Sequence, residues 1–492
     1  MKYLIYIGSF IGMLMPNIIN AQNVGDAVRY SFFDPIGTAR TVGVGSAFGA
    51  MGGDFSVISI NPAGLGEYRM SEFNFSPSIN NSSTNAYFVD DFGSNATRTN
   101  SSFNLDNIGF VSANNRRGTG WVTSNWAIGF SKLTDFDRSI SIAGETEGTI
   151  TDRFLEAAGN LEPEDLDGFE AGPAYDGGAI FLSDGIYVSD YLEGDIVQKS
   201  QVISQSGGIN ELSLAWAGNY NNKLNLGLSV GVPFVSFEER KTYKESVVDG
   251  NFSNDLEYIE SLNTSGVGLN FKLGMQYKPT TLLRIGMAIQ SPTWYNLNDD
   301  YSSRLAYAYS TQDESFSGVG ESPLGSFKYK YESPWKFTGS IGSVLRLGDI
   351  NGFINADIEF IDYTNNEFDF TAFSNNPVEI SYTQEVNNAI DNVLGTATNY
   401  RLGSEFAYKK VRVRGGYTIS TSPYVDESKT FNSWSAGLGF REDKFFIDLG
   451  YRARSTQEGY TPYIVEAENS VEPLANFNTD YGKFVATIGF KI

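Results

Sequence analysis

The chain has 492 residues, rich in Gly (52), Phe (36) and Tyr (28), with no composition break or Pro-rich linker to divide it. Its formal net charge of −23 at pH 7 excludes nucleic acid, since phosphate neutralisation needs a basic face. Cys and His are both absent, which removes disulfides, thiol nucleophiles, His-containing triads and the usual zinc ligands, so no enzyme, cofactor or metal centre is expected.

At the N-terminus, Lys2 precedes an apolar stretch from Tyr3 to Met15, ended by Pro16 and Asn17. This reads as a secretory signal peptide over residues 1–21, cleaved after Ala21, although Ile19 stands where a small residue is usual. The stretch falls short of the ~20 apolar residues of a membrane helix. No Cys follows it, which excludes a lipid-anchored lipoprotein.

Residues 22–70 do not alternate in polarity. Gly37, Gly43, Gly45, Gly49, Gly52, Gly53, Gly64 and Gly66 crowd short apolar pieces, a composition suited to compact turns and close backbone packing. The segment retains too many Phe, Val and Ile for a disordered tail, and is expected to fold as a plug inside whatever follows.

From Ser71 to the last residue, period-two alternation recurs. Val411, Val413, Tyr417 and Ile419 share one face with Arg412, Arg414 and Thr418 between them, and Phe445, Ile447, Leu449 and Tyr451 stand opposite Asp448, Arg452 and Arg454. Candidate strands fall near 71–80, 102–113, 121–133, 207–219, 223–237, 263–278, 281–290, 327–345, 352–363, 399–409, 411–421, 432–441, 444–454 and 481–492, roughly fourteen in all, an even number as in bacterial single-chain barrels. Connections alternate: 114–120, 220–222, 279–280, 346–351, 410 and 442–443 are short, and those between are long, the longest covering 134–206. Short turns at one rim and long loops at the other mark an outer-membrane barrel, whereas a soluble sandwich has no reason to sort its loops. The expected fold is an all-β transmembrane antiparallel barrel over 71–492 with both termini at the short-turn rim.

Trp121, Trp126, Trp216, Tyr277, Trp294, Tyr295, Trp335, Trp434 and Tyr481 sit near strand ends, as interfacial girdles do. The final apolar face, Phe484 to Ile492, suits closure against the first strand and engagement by barrel-assembly machinery. In the long loops, 151–161 and 387–396 carry helical spacing. The acidic run Glu162, Glu164, Asp165, Asp167 matches no metal-loop spacing and reads as a solvated loop.

Within residues 25–70, the run Gly37-Thr-Ala-Arg40, Gly43-Val-Gly45-Ser-Ala47, Gly53-Asp54 and Ile60-Asn61-Pro62-Ala63-Gly64-Leu65 resembles the N-terminal hatch of the FadL/TodX-type outer-membrane transporters of long-chain fatty acids and aromatic hydrocarbons. The loop after the third strand departs from that family in being long and acidic. The resemblance implies a plugged barrel, capture of a hydrophobic small molecule among the extracellular loops, and sideways exit through the wall into outer-membrane lipid at a kinked strand. Asn61, Pro62, Ala63 and Gly64 are then the hatch motif; as bare residues, Asn caps a turn and Pro fixes φ. The third strand is the candidate for the kink because its alternation fades at Ser131, Lys132 and Leu133. Glu405, Arg412, Arg414, Asp448, Arg452 and Arg454 are expected to face the lumen, chiefly as charge pairs joining wall and plug, with one Arg meeting a carboxylate as the functional alternative. No energy-coupling signal is evident, so diffusion down a gradient by a monomer is expected. A haem or siderophore receptor using Tyr or Met, a general porin, and a barrel hydrolase are the competing classes; no glycine-elbow nucleophile supports the last.

Overall fold

A computed structural model describes residues 18–32, 37–89, 96–116, 120–192, 194–249, 252–373, 376–465 and 472–492. Alternating polarity becomes one closed antiparallel ring of fourteen strands. These are β1 (Glu72–Phe88), β2 (Ala96–Ser112), β3 (Trp121–Asp135, followed by Arg138–Glu147), β4 (Ile196–Tyr220), β5 (Leu224–Asp249), β6 (Phe252–Tyr277) and β7 (Leu283–Gln290, then Trp294–Ser310). They continue as β8 (Gly325–Glu332, then Lys336–Leu347), β9 (Ile350–Asp362), β10 (Thr396–Tyr408), β11 (Val411–Thr421), β12 (Thr430–Arg441), β13 (Phe445–Tyr460) and β14 (Ala475–Lys491). Each pairs with the next, and β14 returns to β1 from Glu72↔Lys491 to Phe88↔Ala475, so no sheet edge is left open around the base. The Ile492 N–H donates to Ser71 O at 2.9 Å, which fixes the end of the chain beside the start of the barrel.

Burial runs opposite to that of a soluble protein. On β13, Phe445, Ile447, Leu449 and Tyr451 are exposed while Phe446, Asp448 and Arg452 are buried; on β14, Phe484 and Phe490 point out while Val485 and Thr487 point in. An apolar outer belt around a polar lumen is stable only in lipid. Trp121, Trp126, Trp294, Trp335 and Trp434 are exposed on it as expected, but Tyr295 is 2% exposed. It neighbours Trp294 on the same strand, so the pleat turns it into the lumen.

At one rim the turns are tight, with Asn221 and Asn222 both at positive φ (52° and 55°), the backbone of a two-residue hairpin. At the other rim the long connections are only partly loop. β5 and β6 are each 26 residues long and pair from Leu224↔Tyr277 to Asp249↔Phe252, well beyond the roughly ten residues a tilted strand needs to cross lipid. Strand Ser315–Glu321 likewise extends the upper part of β7. The two expected helices form: α4 is Ile150–Ala158, and, after the short α5 (Ala171–Asp176), α6 is Pro377–Val393, which begins ten residues before the expected stretch. Asn376 caps α6 by accepting from the Val378 N–H, and Pro377 occupies its first turn. The acidic run is solvated except for Asp167, which accepts the Phe169, Glu170 and Ala171 N–H groups; among the described residues there is no metal-binding cluster.

Proline bends two neighbouring strands without opening the wall. Between the halves of β7, Ser291 Oγ accepts the Phe271 N–H at 2.9 Å, and between the halves of β8, Ser333 Oγ accepts the Thr293 N–H at 2.9 Å. The hydroxyls replace ladder bonds interrupted at the bends.

Helix α1 (Ile18–Ser31) runs across the expected cleavage point after Ala21, and the rest of the expected signal peptide lies outside the described residues. The following segment contains α2 (Ala39–Gly43), α3 (Val57–Ile60) and a 3₁₀ turn, Pro62–Glu67.

Candidate functional site

Residues 38–67 lie within the ring and touch its inward face almost all the way round. Ala39 N–H donates to Thr487 on β14, Phe48 and Gly49 N–H to Asp357 on β9, Thr418 on β11 donates to Gly45 O, and Asn125 on β3 donates to Leu65 O. Asp54 organises the segment by accepting from Thr38, Thr41 and the Ser56 N–H. The Asn-Pro-Ala motif is bonded to the wall: Asn61 Nδ2 donates to Gly49 O at 2.7 Å and to Met275 O at 3.2 Å, and its Oδ1 accepts the Ala63 N–H. Pro62, Ala63 and Gly64 are buried, and a side chain at Gly227 or Gly274 would overlap the motif, so those glycines of β5 and β6 permit the approach.

Charge fastens the other side. Glu405 accepts from Arg40 of the segment, through Nε at 2.9 Å, and from Arg414 at 2.6 Å. Arg414 reaches Asp448 at 2.8 Å, and Arg441 also pairs with Asp448 at 2.9 Å. Of the residues expected on this wall, Glu405, Arg414 and Asp448 therefore come together. Arg452 instead donates to Ser433, Arg454 lies over the Tyr481 ring at 5.3 Å, and Arg412 donates to the Lys409 and Val411 carbonyls at the short-turn rim. Arg40, already present in the hatch-like run, is the partner that sequence reasoning did not pair with them. Burial pushes the Glu67 carboxyl up, but Lys278 and Arg284 outweigh it and hold this group of the 3₁₀ turn below the ordinary carboxylate range.

Above the segment, further buried ion pairs line the inner wall, Lys272–Glu211 at 2.6 Å and Arg401–Glu359 at 2.5 Å, with Lys336 donating to Ser31 O at 3.0 Å. Higher still the lining turns aromatic. α1 packs Ala27 and Tyr30 against Tyr295, Tyr331 and Tyr363 and against Val386 and Ile390 of α6, and the Tyr331 hydroxyl donates to Ala27 O at 2.8 Å.

One seam of the wall lacks its ladder. β2 and β3 pair from Ser112↔Trp126 only as far as Asn107↔Ser131, although β2 continues to Ala96. Among the described residues the β2 edge from Ala96 to Asp106 forms no backbone ladder on that side. The register of β3 against β4 shifts between Lys132 and Thr134, so Leu133 is a bulge that joins the aromatic cluster inside. Beyond it Ile140 and Ile142 pack on Ala86, Phe88, Ala475 and Phe477 of β1 and β14. Side chains span the seam: Lys132 pairs with Asp135 at 2.8 Å, and Asp135 accepts from Asn104 at 2.9 Å, Ser102 at 3.2 Å and Asn80. Ser131, Lys132 and Leu133 thus stand together at the end of the ladder. Asp135, Asn104, Ser102 and Asn80 join them from other strands or from past the bulge, and only the loss of alternation after Ser131 hinted at such a centre. Phe103 and Leu105 are exposed beside the seam.

No family model and no curated protein matches the sequence. Solved structures match over nearly the whole chain. The toluene transporter TodX of Pseudomonas putida aligns with a TM-score of 0.51 at 11% identity, covering 93% of this chain and 99% of its own. A FadL homologue of Pseudomonas aeruginosa gives 0.54 at 8% identity (94% and 99%), and the toluene transporter TbuX of Ralstonia pickettii 0.50 at 14% (94% and 99%). The chain has the fold of the FadL- and TodX-type outer-membrane channels.

Proposed function

We propose that this chain is a bacterial outer-membrane channel for passive uptake of hydrophobic small molecules, toluene-like or fatty-acid-like, with residues 22–70 as its plug and a sideways exit between β2 and β3. The interrupted ladder at Asn107↔Ser131 carries this reading. An apolar solute that enters the aromatic upper lumen meets buried ion pairs and a close-packed segment below, and leaving apolar surroundings costs it about 0.8 kcal/mol per CH₂. Lateral release into lipid avoids that cost, and the β2–β3 seam is where side chains alone span the wall. The packing of residues 38–67 against the inward faces favours a plugged route over an open porin. Export by the leader, membrane insertion by assembly machinery and function as a monomer complete the proposal.

The test uses the absence of native Cys. Ser102→Cys and Asp135→Cys are introduced together and bridged with a short thiol crosslinker, and toluene and oleate flux into vesicles is measured. Flux should fall on bridging and return on cleavage of the bridge; unchanged flux removes lateral exit at this seam. Large open-channel conductance steps in planar bilayers would instead indicate a porin.

A further inference from the structure

At the short-turn rim, between the N-terminal segment and β7 to β12, a cavity of about 310 Å³ is lined by Arg40, Arg284, Arg412, Arg441 and Glu405 together with Met51, Val344, Phe353 and Ala407. Its charge is unbalanced. Three of the guanidiniums have carboxylate partners: Arg40 on Glu405, Arg284 on Glu67 and Arg441 on Asp448. Those same three carboxylates also serve Arg414 and Lys278. Arg412 has only the Lys409 and Val411 carbonyls, and no carboxylate lies at ion-pair distance from it among the described residues. Five cationic groups thus share ion pairs with three carboxylates and Arg412, a sixth, pairs with none among the described residues, inside a protein whose formal net charge is −23.

Wall–segment pairing alone would be served by one carboxylate per cation. Concentrating uncompensated positive charge beside low-dielectric walls is costly without an anion to meet it. The lining also has a defined polarity. Arg40 lies over the Phe48 ring at 5.0 Å and the Phe353 ring at 5.8 Å, and Met51 and Phe353 are buried, so an apolar surface stands next to the guanidiniums. A planar fork beside an apolar wall suits a carboxylate or phosphodiester that carries an alkyl chain.

We infer that this basic cavity is an anion-binding site of the barrel's short-turn face, taking the single negative head of an amphiphile between Arg412 and Arg284 while its chain lies on Met51, Val344 and Phe353. It lies beneath the segment of residues 38–67 and apart from the β2–β3 seam, and it stands whether or not the transport reading does. Two sources share this chemistry, a free alkyl carboxylate and the phosphodiester of an anionic lipid in the facing leaflet.

The experiment measures binding to the purified full chain in a nonionic detergent, using sodium decanoate, decanol, short-chain phosphatidylglycerol and short-chain phosphatidylcholine. Decanoate or phosphatidylglycerol should bind with an affinity that falls as salt rises. Arg412→Gln should weaken that binding by about tenfold, the scale of one charge-assisted hydrogen bond. Arg412→Lys should recover part of the loss, and decanol should be unaffected. The stronger of the two anions identifies the source. A diazirine-bearing decanoate on the unmutated chain supplies a second readout, with label expected on the peptides containing Met51, Val344 or Phe353. Anion binding that Arg412→Gln leaves unchanged, or label found only on the aromatic upper lumen or the β2–β3 seam, would overturn the site. Vesicle flux of toluene, which carries no charge, is measured alongside, so loss of the anion site and loss of transport read out separately.

Discussion

Arg414 on β11 reaches across β12 to Asp448 on β13, 2.8 Å away, and neither side chain has any solvent exposure. The crossing is possible because the intervening residue is Gly439, where a Cβ would overlap the Asp448 carboxylate and crowd the Arg414 guanidinium. The chain of charges runs Arg40, Glu405, Arg414, Asp448, Arg441, three cations to two anions.

That stoichiometry ranks two substitutions. Asp448→Asn leaves three arginines with one carboxylate and should cost about 3–5 kcal/mol, as expected for an uncompensated buried charge. Arg414→Met leaves two matched pairs, Arg40–Glu405 and Arg441–Asp448, and should cost less, about 1–3 kcal/mol. Urea unfolding in lipid vesicles, followed by tryptophan fluorescence, gives the order. The reverse order would mean that Arg414 holds the wall by packing rather than by charge.

These groups show what alternation can and cannot reveal. Period two placed Glu405, Arg414 and Asp448 on the inner face of their strands because a pleat leaves no choice of side. It gave no partners, since pairing depends on register between strands and on where Arg40 of the N-terminal segment comes to rest. The same limit explains Tyr295, assigned to a girdle because it lies near a strand end although the pleat turns it inward. It explains the β5–β6 hairpin too: past Phe237 the residues are mostly polar on both faces, so no local signal shows that the ladder runs on to Asp249↔Phe252. The β2–β3 seam was visible only as fading alternation at Ser131 to Leu133. A missing ladder is a property of two strands, and the residues that bridge it come from β1, β2 and β3.

Glu67 sets a pH dependence. Its carboxyl is held below the ordinary range in the folded protein, so its contribution is fully present above the usual glutamate pKa of about 4.3 and is lost as pH falls through the lower folded value. Glu67→Gln should therefore be less stable than the parent at pH 7. The difference should shrink steadily below about pH 4, as the carboxylate takes up its proton in both states. Thermal unfolding of both proteins across pH 3–7 checks this; a gap that widens in acid would have the wrong sign.

Asn61 bonds three backbone groups of the N-terminal segment and wall with one side chain. Asn61→Ala removes one of two side-chain donors to the buried Gly49 carbonyl, leaving Gln276 Nε2, and the side-chain donor to the part-buried Met275 carbonyl, and should cost about 1–2 kcal/mol. Gly274→Ala should loosen the same contact from the wall side, since its Cβ would overlap Asn61 Oδ1. Hydrogen exchange should quicken at residues 49–51 and 61–66 in both variants, with the strands of β11 to β13 unaffected. Quickening spread evenly over the barrel would show that the motif supports the whole fold rather than its own docking.

Asp135 is the acceptor on which the seam converges, from Lys132, Asn104, Ser102 and Asn80. Asp135→Ala removes the only carboxylate paired with Lys132 among the described residues and leaves that buried ammonium with Asn104 alone, which should weaken the seam by about 3–5 kcal/mol. Lys132→Met with Asp135→Asn removes both charges at once and should cost markedly less, because no uncompensated ion remains. The β3–β4 ladder on the far side of the bulge is intact, so the expected effect is local. Spin labels at residues 103 and 140 should report a broader distance distribution in Asp135→Ala, and toluene flux into vesicles should rise with that breadth across the three proteins. Broadening without a gain in flux would leave Asp135 as a structural clasp and move the exit elsewhere along the wall.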